Sequence, residues 1–133
     1  MKQYRILILA VAVVGMLSLS KSSGVGAQYV IALEELLGGD KHLHFLCALM
    51  LTGLSVWVTR TQTRKEPSPH LIGWPTVLVI TLMMLDECSQ YWLERREFSV
   101  DDMMTNLLGA GIALCIATVV DYILSKRVVM PKS

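Results

Sequence analysis

Four long apolar stretches without an Asp, Glu, Lys or Arg side chain constrain this chain more than any other feature of its sequence. They cover residues 6–20, 42–59, 67–85 and 103–120. Because a helix rises about 1.5 Å per residue, crossing a hydrocarbon core of about 30 Å takes about 20 residues, with a range of about 17–25. The pattern therefore predicts an all-α fold, a transmembrane bundle of four helices. We place these helices at about residues 5–24, 42–59, 72–93 and 102–125.

The composition is that of a membrane protein. Hydrophobic residues make up 53% of the 133 residues and charged residues only 17%, against about 25% charged residues in soluble domains. Twelve Lys and Arg against eleven Asp and Glu give a net charge of +1, so no basic field for nucleic acid is present. We expect one membrane domain over residues 1–133, surrounded by membrane lipids and without a nucleic-acid partner.

The distribution of basic residues predicts the orientation of the helices. If the N-terminus is cytoplasmic, eight of the twelve Lys and Arg residues fall on the cytoplasmic side, as the positive-inside rule requires. Both termini are then cytoplasmic and the loops 21–41 and 94–101 lie outside, whereas a polar turn at 60–71 lies inside. The first stretch has a second interpretation: Lys2 and Arg5 precede a segment of signal-peptide length, and residues 25–27 (Val-Gly-Ala) resemble a cleavage site.

Polar residues from three separate segments fall at one predicted level, the outer membrane boundary. A charge at the centre of a membrane helix costs about 2.5–3.5 kcal/mol on insertion scales, so such residues are candidates for function. Their shared level predicts a composite polar pocket between the second, third and fourth helices. The residues at this level are Asp40, Lys41, His42, His44, Asp86, Glu87, Gln90, Asp101, Asp102 and Asn106.

Helical spacing supports the pocket. Asp40 and His44 are four residues apart and share a helix face, and Glu87 and Gln90 are three apart. The carboxylate of Glu87 lies inside a predicted helix end, so it should pair with a cation or bind a proton.

The fourth predicted helix carries a second stripe of this kind. Asn106 follows Asp102 by four residues and Gly109 follows three later, which directs a polar pair and a small residue to the same neighbour. Gly109 and Gly111 are the small residues that membrane helices use for close packing.

Each residue also has a simpler explanation. Asp40 and Asp102 can cap the first turn of a helix and oppose its dipole. Gln90 and Asn106 can be hydrogen-bonding residues between helices, and His42 can lie idle in the interface.

These residues resemble the motifs of the VanZ-like family of small membrane proteins. The family pairs an Asp-Lys-x-x-His-Phe segment with a later Glu-x-x-Gln, Arg, Ser, Asp, Asn and Gly series, and the resemblance spans about residues 40–111. The family often has Pro-Gly before the arginine, where this chain has Glu94-Arg95, so the choice between Arg95 and Arg96 stays open. The matching residues here are Asp40, Lys41, His44, Phe45, Glu87, Gln90, Arg96, Ser99, Asp102, Asn106 and Gly109.

The resemblance implies a protein of the bacterial cytoplasmic (inner) membrane. The founding member of the family is associated with low-level resistance to the glycopeptide teicoplanin, which acts at the cell envelope. A comparable role in antibiotic resistance is one implication for this chain, but the motif alone does not transfer it.

Three hypotheses remain open for the function. In the first, Arg96 and Lys41 hold an anionic envelope lipid or a cell-wall precursor, with Gln90 and Asn106 as hydrogen-bond partners. Carboxylates of Glu87 and Asp102 would then orient the cations or contact sugar hydroxyls.

In the second hypothesis the chain is an enzyme acting on an envelope lipid or glycan. His44 with Asp40, together with Glu87, offers general acid and base groups. Ser99 and Cys88 are possible nucleophiles, but no HExxH or GxSxG motif is present. An Asp, His and Glu set can also hold a divalent cation, yet without a metal motif we expect no metal and no cofactor.

In the third hypothesis the polar residues only fix the packing of the helices. The sequence leaves the oligomeric state open. Transport of protons or solutes is disfavoured, because the polar residues gather at one boundary instead of across the bilayer.

Overall fold

The structure, a computed structural model, describes residues 2–63, 72–93 and 96–129, without the side chains of residues 62–63 and 125–129. The described part is helical and contains no strand. A single 3-10 turn, Gln90–Trp92, follows the fourth helix. The α-helices are α1 (Lys2–Ser23), α2 (Ala27–Leu37), α3 (Asp40–Thr63), α4 (Trp74–Ser89) and α5 (Val100–Val129).

Three helices in the described residues are long and apolar enough to cross a membrane. These segments are Lys2–Ser23, Asp40–Thr61 and Val100–Leu124. The third predicted helix, 72–93, corresponds to α4, whose 16 residues span only about 24 Å. Pro75 lies in the first turn of α4, and a helix that began much earlier would place this proline in its interior, where it is not tolerated. The last turn of α4 passes into the 3-10 turn. The prediction of an all-α membrane protein is therefore confirmed, whereas only three of the four predicted spans meet the length for crossing.

The segment predicted as an outer loop, 21–41, contains the short helix α2. Left-handed glycines border it, with φ of +75° at Gly26 and +96° at Gly38, a conformation that favours glycine over other residues. Its 11 residues rise about 16 Å, too little to cross a bilayer. A search for long charge-free stretches misses this helix, because α2 is short and contains Glu34 and Glu35.

Helix α3 is the centre of the fold and packs against all four other α-helices. It approaches α5 closely, since a Cβ added to Gly109 would lie 2.6 Å from the carbonyl oxygen of Phe45 and 3.0 Å from the Cβ of Ala48. Gly111 differs, since a Cβ there would meet no described atom within 4 Å. Of the two glycines expected to pack, Gly109 has the tight surroundings of a packing glycine and Gly111 does not.

The core is a thin column of buried apolar side chains between the helices. Large apolar residues on the outer flanks of the helices are exposed, as at Ile8, Leu9 and Met16 of α1. Exposed apolar surface of this extent is unusual for a soluble monomer and typical of a surface that contacts another apolar phase. The buried column consists of Leu7, Ala48, Leu51, Val58, Val79, Met83 and Ala110.

The predicted polar turn is only partly described. Its residues Arg64, Lys65, Pro67 and Pro69 lie outside the described residues, as does the Glu94-Arg95 pair.

Candidate functional site

Four helices bring polar side chains to one end of the bundle, where α1 and α4 end and α3 and α5 begin. We call this the polar end. The short helix α2 lies at the same end, because it connects α1 to α3. The polar end gathers residues that are far apart in sequence, and the contacts among them fall into four groups.

The first group centres on the buried carboxylate of Glu87, whose side chain is 1% exposed. Nδ1 of His44, from α3, lies 3.2 Å from Oε1 of Glu87. Nδ2 of Asn106, from α5, donates a hydrogen bond to the same oxygen at 3.2 Å. The other oxygen, Oε2, has no hydrogen-bond partner among the described residues. Glu87 therefore joins three helices and keeps one unused acceptor in a buried position.

The second group is an ion-pair network around Lys21 near the end of α1. Its Nζ donates to Oε1 of Glu34 at 2.6 Å and to Oδ1 of Asp40 at 2.7 Å. Glu34 belongs to α2, and burial raises the pKa of its carboxyl while the hydrogen bond from Lys21 acts in the opposite direction. On α3, the Nε2 of His44 lies 3.5 Å from Oδ1 of Asp40. One ammonium group thus holds two carboxylates of two different helices.

The third group links α1 to the segment between α4 and α5. Nη1 of Arg96 donates to Oγ of Ser18 at 2.9 Å. Oγ of Ser18 in turn donates to the carboxylate of Asp86, at 2.7 Å from Oδ1. Ser18 therefore connects the guanidinium of Arg96 to the carboxylate of Asp86 on α4 through two hydrogen bonds.

The fourth group is the start of α5. Oγ of Ser99 accepts a hydrogen bond from the backbone N–H of Asp102 at 3.2 Å, so Ser99 caps the helix. The carboxylate of Asp102 is therefore not needed as the cap, although Asp102 is only 7% exposed. Asp102, Asp40 and His44 each offer one ligand atom, and these atoms lie within 4.8 Å of one another. This is the set of described residues that could hold a metal ion.

Two expected site residues lie apart from these groups. Lys41 Nζ is 2.7 Å from Oδ2 of Asp101, and both side chains are largely exposed. Gln90 is buried, and its Nε2 has no hydrogen-bond partner among the described residues. Arg96 and Lys41, which the sequence analysis expects to act together on an anion, make separate contacts: Arg96 donates to Ser18, whereas Lys41 pairs with Asp101.

A cavity of about 260 Å³ opens beside these groups, between α1, α3 and α4. Its polar wall includes Lys21, His44, Asp86, Glu87 and Arg96. The rest of its lining is mainly apolar and extends along the helices toward their other ends. Since Val11 precedes Lys21 by ten residues on α1, the apolar part reaches about 15 Å from the charged level. The apolar and small lining residues are Val11, Val14, Gly15, Leu17, Val30, Leu43, Cys47, Leu51, Val79, Leu82 and Met83.

Sequence reasoning missed the contribution of the first helix. Ser18 and Lys21 lie three residues apart at the polar end of α1. The same spacing separates Glu87 from Gln90 and indicates residues on one face of a helix. Hydropathy predicts only an anchor or a signal segment for the first apolar stretch and assigns Lys21 to a loop, so neither residue is predicted at the site. Glu34 was overlooked because α2 was not predicted.

Comparison with protein-family models matches residues 5–121 to the family described as VanZ/LLP1. Comparisons with curated proteins and with solved structures found no match.

Proposed function

Because the chain belongs to the VanZ/LLP1 family and has a cavity that is charged at one end and apolar along its length, we propose that it binds an envelope lipid. The lipid's polar head would occupy the polar end and one hydrocarbon chain would lie along the apolar wall. The cavity is the observation that carries this proposal, since it combines both chemistries in one continuous space.

The polar wall selects the chemistry of the head group. Arg96 donates hydrogen bonds in a planar fork suited to a phosphate, whereas Asp86 and Glu87 are acceptors for hydroxyl or amine groups. Lys21 is already held by two carboxylates, so Arg96 is the principal anion-binding group. We therefore propose a lipid with a phosphate and further hydroxyl or amino groups, a description that includes lipid-linked cell-wall precursors.

We propose that all four long helices cross the bacterial cytoplasmic membrane, including α4. Its 16 residues and the 3-10 turn after it extend about 24 Å and about 6 Å, which together match the hydrocarbon thickness. Exposed tryptophans stand at both ends of this segment, Trp74 at 61% and Trp92 at 77%. Tryptophan is enriched at the two membrane interfaces, which supports a spanning position.

The positive-inside rule supports an orientation with both termini in the cytoplasm. The polar end and α2 then face the outside, where envelope lipids and cell-wall precursors are exposed. Short helix α2 exposes Tyr29, Ile31 and Leu36, apolar residues suited to lying in the outer interface.

Filling the cavity tests the proposal. Gly15 lines the cavity, and a Cβ there would meet no described atom within 4 Å, so Gly15→Leu is expected to place its side chain in the cavity. Gly53→Leu is the matched control, because Gly53 is exposed on α3 and equally free of neighbours. Delipidated protein in detergent is titrated with phosphatidylglycerol or a polyprenyl phosphate, and bound lipid is counted by native mass spectrometry.

We expect one tightly bound lipid, with affinity reduced at least tenfold by Gly15→Leu and unchanged by Gly53→Leu. Arg96→Gln should reduce the affinity for the anionic lipids at least fivefold, whereas Lys41→Gln should not. Absence of a saturable lipid contradicts lipid binding and favours a purely structural polar network. Equal binding by both glycine variants contradicts binding in the cavity. Loss in Gly15→Leu with no effect of Arg96→Gln contradicts the phosphate assignment.

A further inference from the structure

Three donor groups of two helices converge at the polar end, on the side of His44 away from Glu87. These are the carboxylates of Asp40 and Asp102 and the imidazole of His44, with one ligand atom of each within 4.8 Å of the others. We propose that Asp40, His44 and Asp102 bind a divalent transition-metal cation.

The carboxylate of Asp102 is the independent observation that points to a cation. Asp102 is only 7% exposed, and Ser99 bonds its backbone N–H, which leaves the carboxylate available to a cation. Its cationic neighbours are engaged elsewhere: Lys41 pairs with Asp101 and Lys21 with Asp40 and Glu34. A largely buried carboxylate is stabilised by a nearby cation, and a metal ion within reach of Asp40, His44 and Asp102 would supply one.

The surroundings of His44 match the second shell of a metal site. Its Nδ1 lies 3.2 Å from Oε1 of Glu87, and Nε2 is the nitrogen near Asp40, at 3.5 Å. With the proton on Nδ1 donated to Glu87, the lone pair of Nε2 faces Asp40. A carboxylate that holds the far nitrogen in this way orients metal-binding histidines and raises their basicity. Asn106 fixes Glu87 by its own hydrogen bond to the same oxygen.

The charge balance at this position favours a dication. Glu34, Asp40, Glu87 and Asp102 contribute four carboxylates, and Lys21 contributes the ammonium that contacts two of them. Asp86 lies outside this count, because it is linked to Arg96 through Ser18. With His44 neutral, as a metal ligand must be, a divalent ion would offset most of the excess negative charge.

The donor set selects the class of metal. One imidazole nitrogen and two carboxylates suit Zn²⁺ or Mn²⁺, whereas Ca²⁺ and Mg²⁺ prefer oxygen ligands alone. Donor atoms around Zn²⁺ are about 3.4 Å apart in tetrahedral geometry. Side-chain rotations that move the donor atoms by about 1 Å would bring them to this separation. This differs from the sequence-based expectation of no metal, because the ligands come from positions without a metal-motif spacing.

Titration with Co²⁺, a spectroscopic substitute for Zn²⁺, tests the site. The full-length protein is purified in lipid-free detergent, stripped with a chelator, and followed by the visible absorption of the metal. The chain offers two matched pairs: Asp102→Asn against Asp101→Asn, and His44→Gln against His42→Gln. Asp101 and His42 are exposed neighbours outside the donor set.

We expect one equivalent of Co²⁺ to bind, with affinity lowered at least tenfold by Asp102→Asn and His44→Gln and unchanged by the two controls. Thermal unfolding without metal identifies any variant that fails to fold. If either Asp102→Asn or His44→Gln fails to fold, the remaining one of these two variants, with its own control, decides the test. No saturable binding to the wild-type protein overturns the proposal, as does equal loss in a variant and its control. A sulfur-to-cobalt charge-transfer band also overturns it, since it would place the ion on a cysteine.

Failure of metal binding can be distinguished from failure of lipid binding by one variant. Gly15→Leu should keep the full affinity for Co²⁺, because Gly15 lies in the cavity on α1 and outside the donor set.

Discussion

Nδ1 of His44 lies 3.2 Å from Oε1 of Glu87, and both side chains are largely buried. The contact joins α3 to α4, and Asn106 of α5 donates to the same oxygen. Since backbone hydrogen bonds within each helix cannot hold different helices together, side-chain contacts of this kind fix how the helices meet at the polar end.

Two substitutions of Glu87 distinguish the contribution of its charge to stability from the contribution of its hydrogen bonds. Glu87→Ala leaves the donors of His44 and Asn106 without an acceptor and creates a cavity, so we expect the free energy of unfolding to fall by about 2–4 kcal/mol. Glu87→Gln keeps the volume and one acceptor oxygen, and should cost about 1 kcal/mol or less. Reversible unfolding in mixed detergent measures both values, and equal losses would contradict a role for the hydrogen bonds.

Lys21 should contribute more to stability than Lys41. Lys21→Met leaves the carboxylates of Glu34 and Asp40 without their ammonium partner in a partly buried site, with an expected loss of about 1–3 kcal/mol. Lys41→Met breaks an exposed pair with Asp101 and should cost less than about 1 kcal/mol. The same unfolding assay compares the two lysines, and a similar small loss for both would show that the buried network is not stabilising.

The two glycines of α5 should respond in opposite ways to alanine. At Gly109 a Cβ would lie 2.6 Å from the backbone oxygen of Phe45, so Gly109→Ala must move α5 away from α3 and should cost about 1–3 kcal/mol. Gly111→Ala meets open space and should be neutral or stabilising, because alanine is the better helix former. Thermal unfolding of the two variants gives the comparison, and identical melting temperatures would refute the close approach.

The proposed orientation predicts which residues an impermeant reagent can reach. In a variant whose own cysteines are replaced, Val25→Cys should react with a membrane-impermeant maleimide on intact cells, because Val25 is 78% exposed beside the polar end. Lys2→Cys, at the other end of α1, should react only after permeabilisation. The reverse pattern would place the polar end in the cytoplasm.

Much of the architecture follows from simple physical rules. Charge-free stretches of sufficient length identify α1, α3, α4 and α5, since a long apolar segment has few alternatives to a helix in a membrane. The spacing of Asp40 with His44 places both on one face of α3, and the last apolar stretch predicts the start of α5 to within about two residues, at 102 against Val100. These are local features, which a single sequence contains.

The parts that were missed depend on contacts between segments. Lys21 looks like a loop residue until α2 brings Glu34 to it, and α2 itself needs two left-handed glycines that hydropathy does not detect. The pairing of Lys41 with Asp101 and the exclusion of Lys41 from the cavity depend on side-chain direction at a helix start. The end of α4 at Ser89 was also not predicted, because the residues after it carry no clear stop signal.

Ser18 and Lys21 lie at the end of α1, so cleavage of the first segment as a signal peptide would change the polar end directly. Cleavage after Ala27 would remove one wall of the cavity, the ammonium group on Asp40 and Glu34, and the link from Arg96 to Asp86. His44, Glu87, Asp102 and Asn106 would stay in the remaining chain. Proteolytic processing would therefore convert a cavity walled by α1 into a more open and more acidic surface, so the mature N-terminus decides which of two chemically different molecules reaches the membrane.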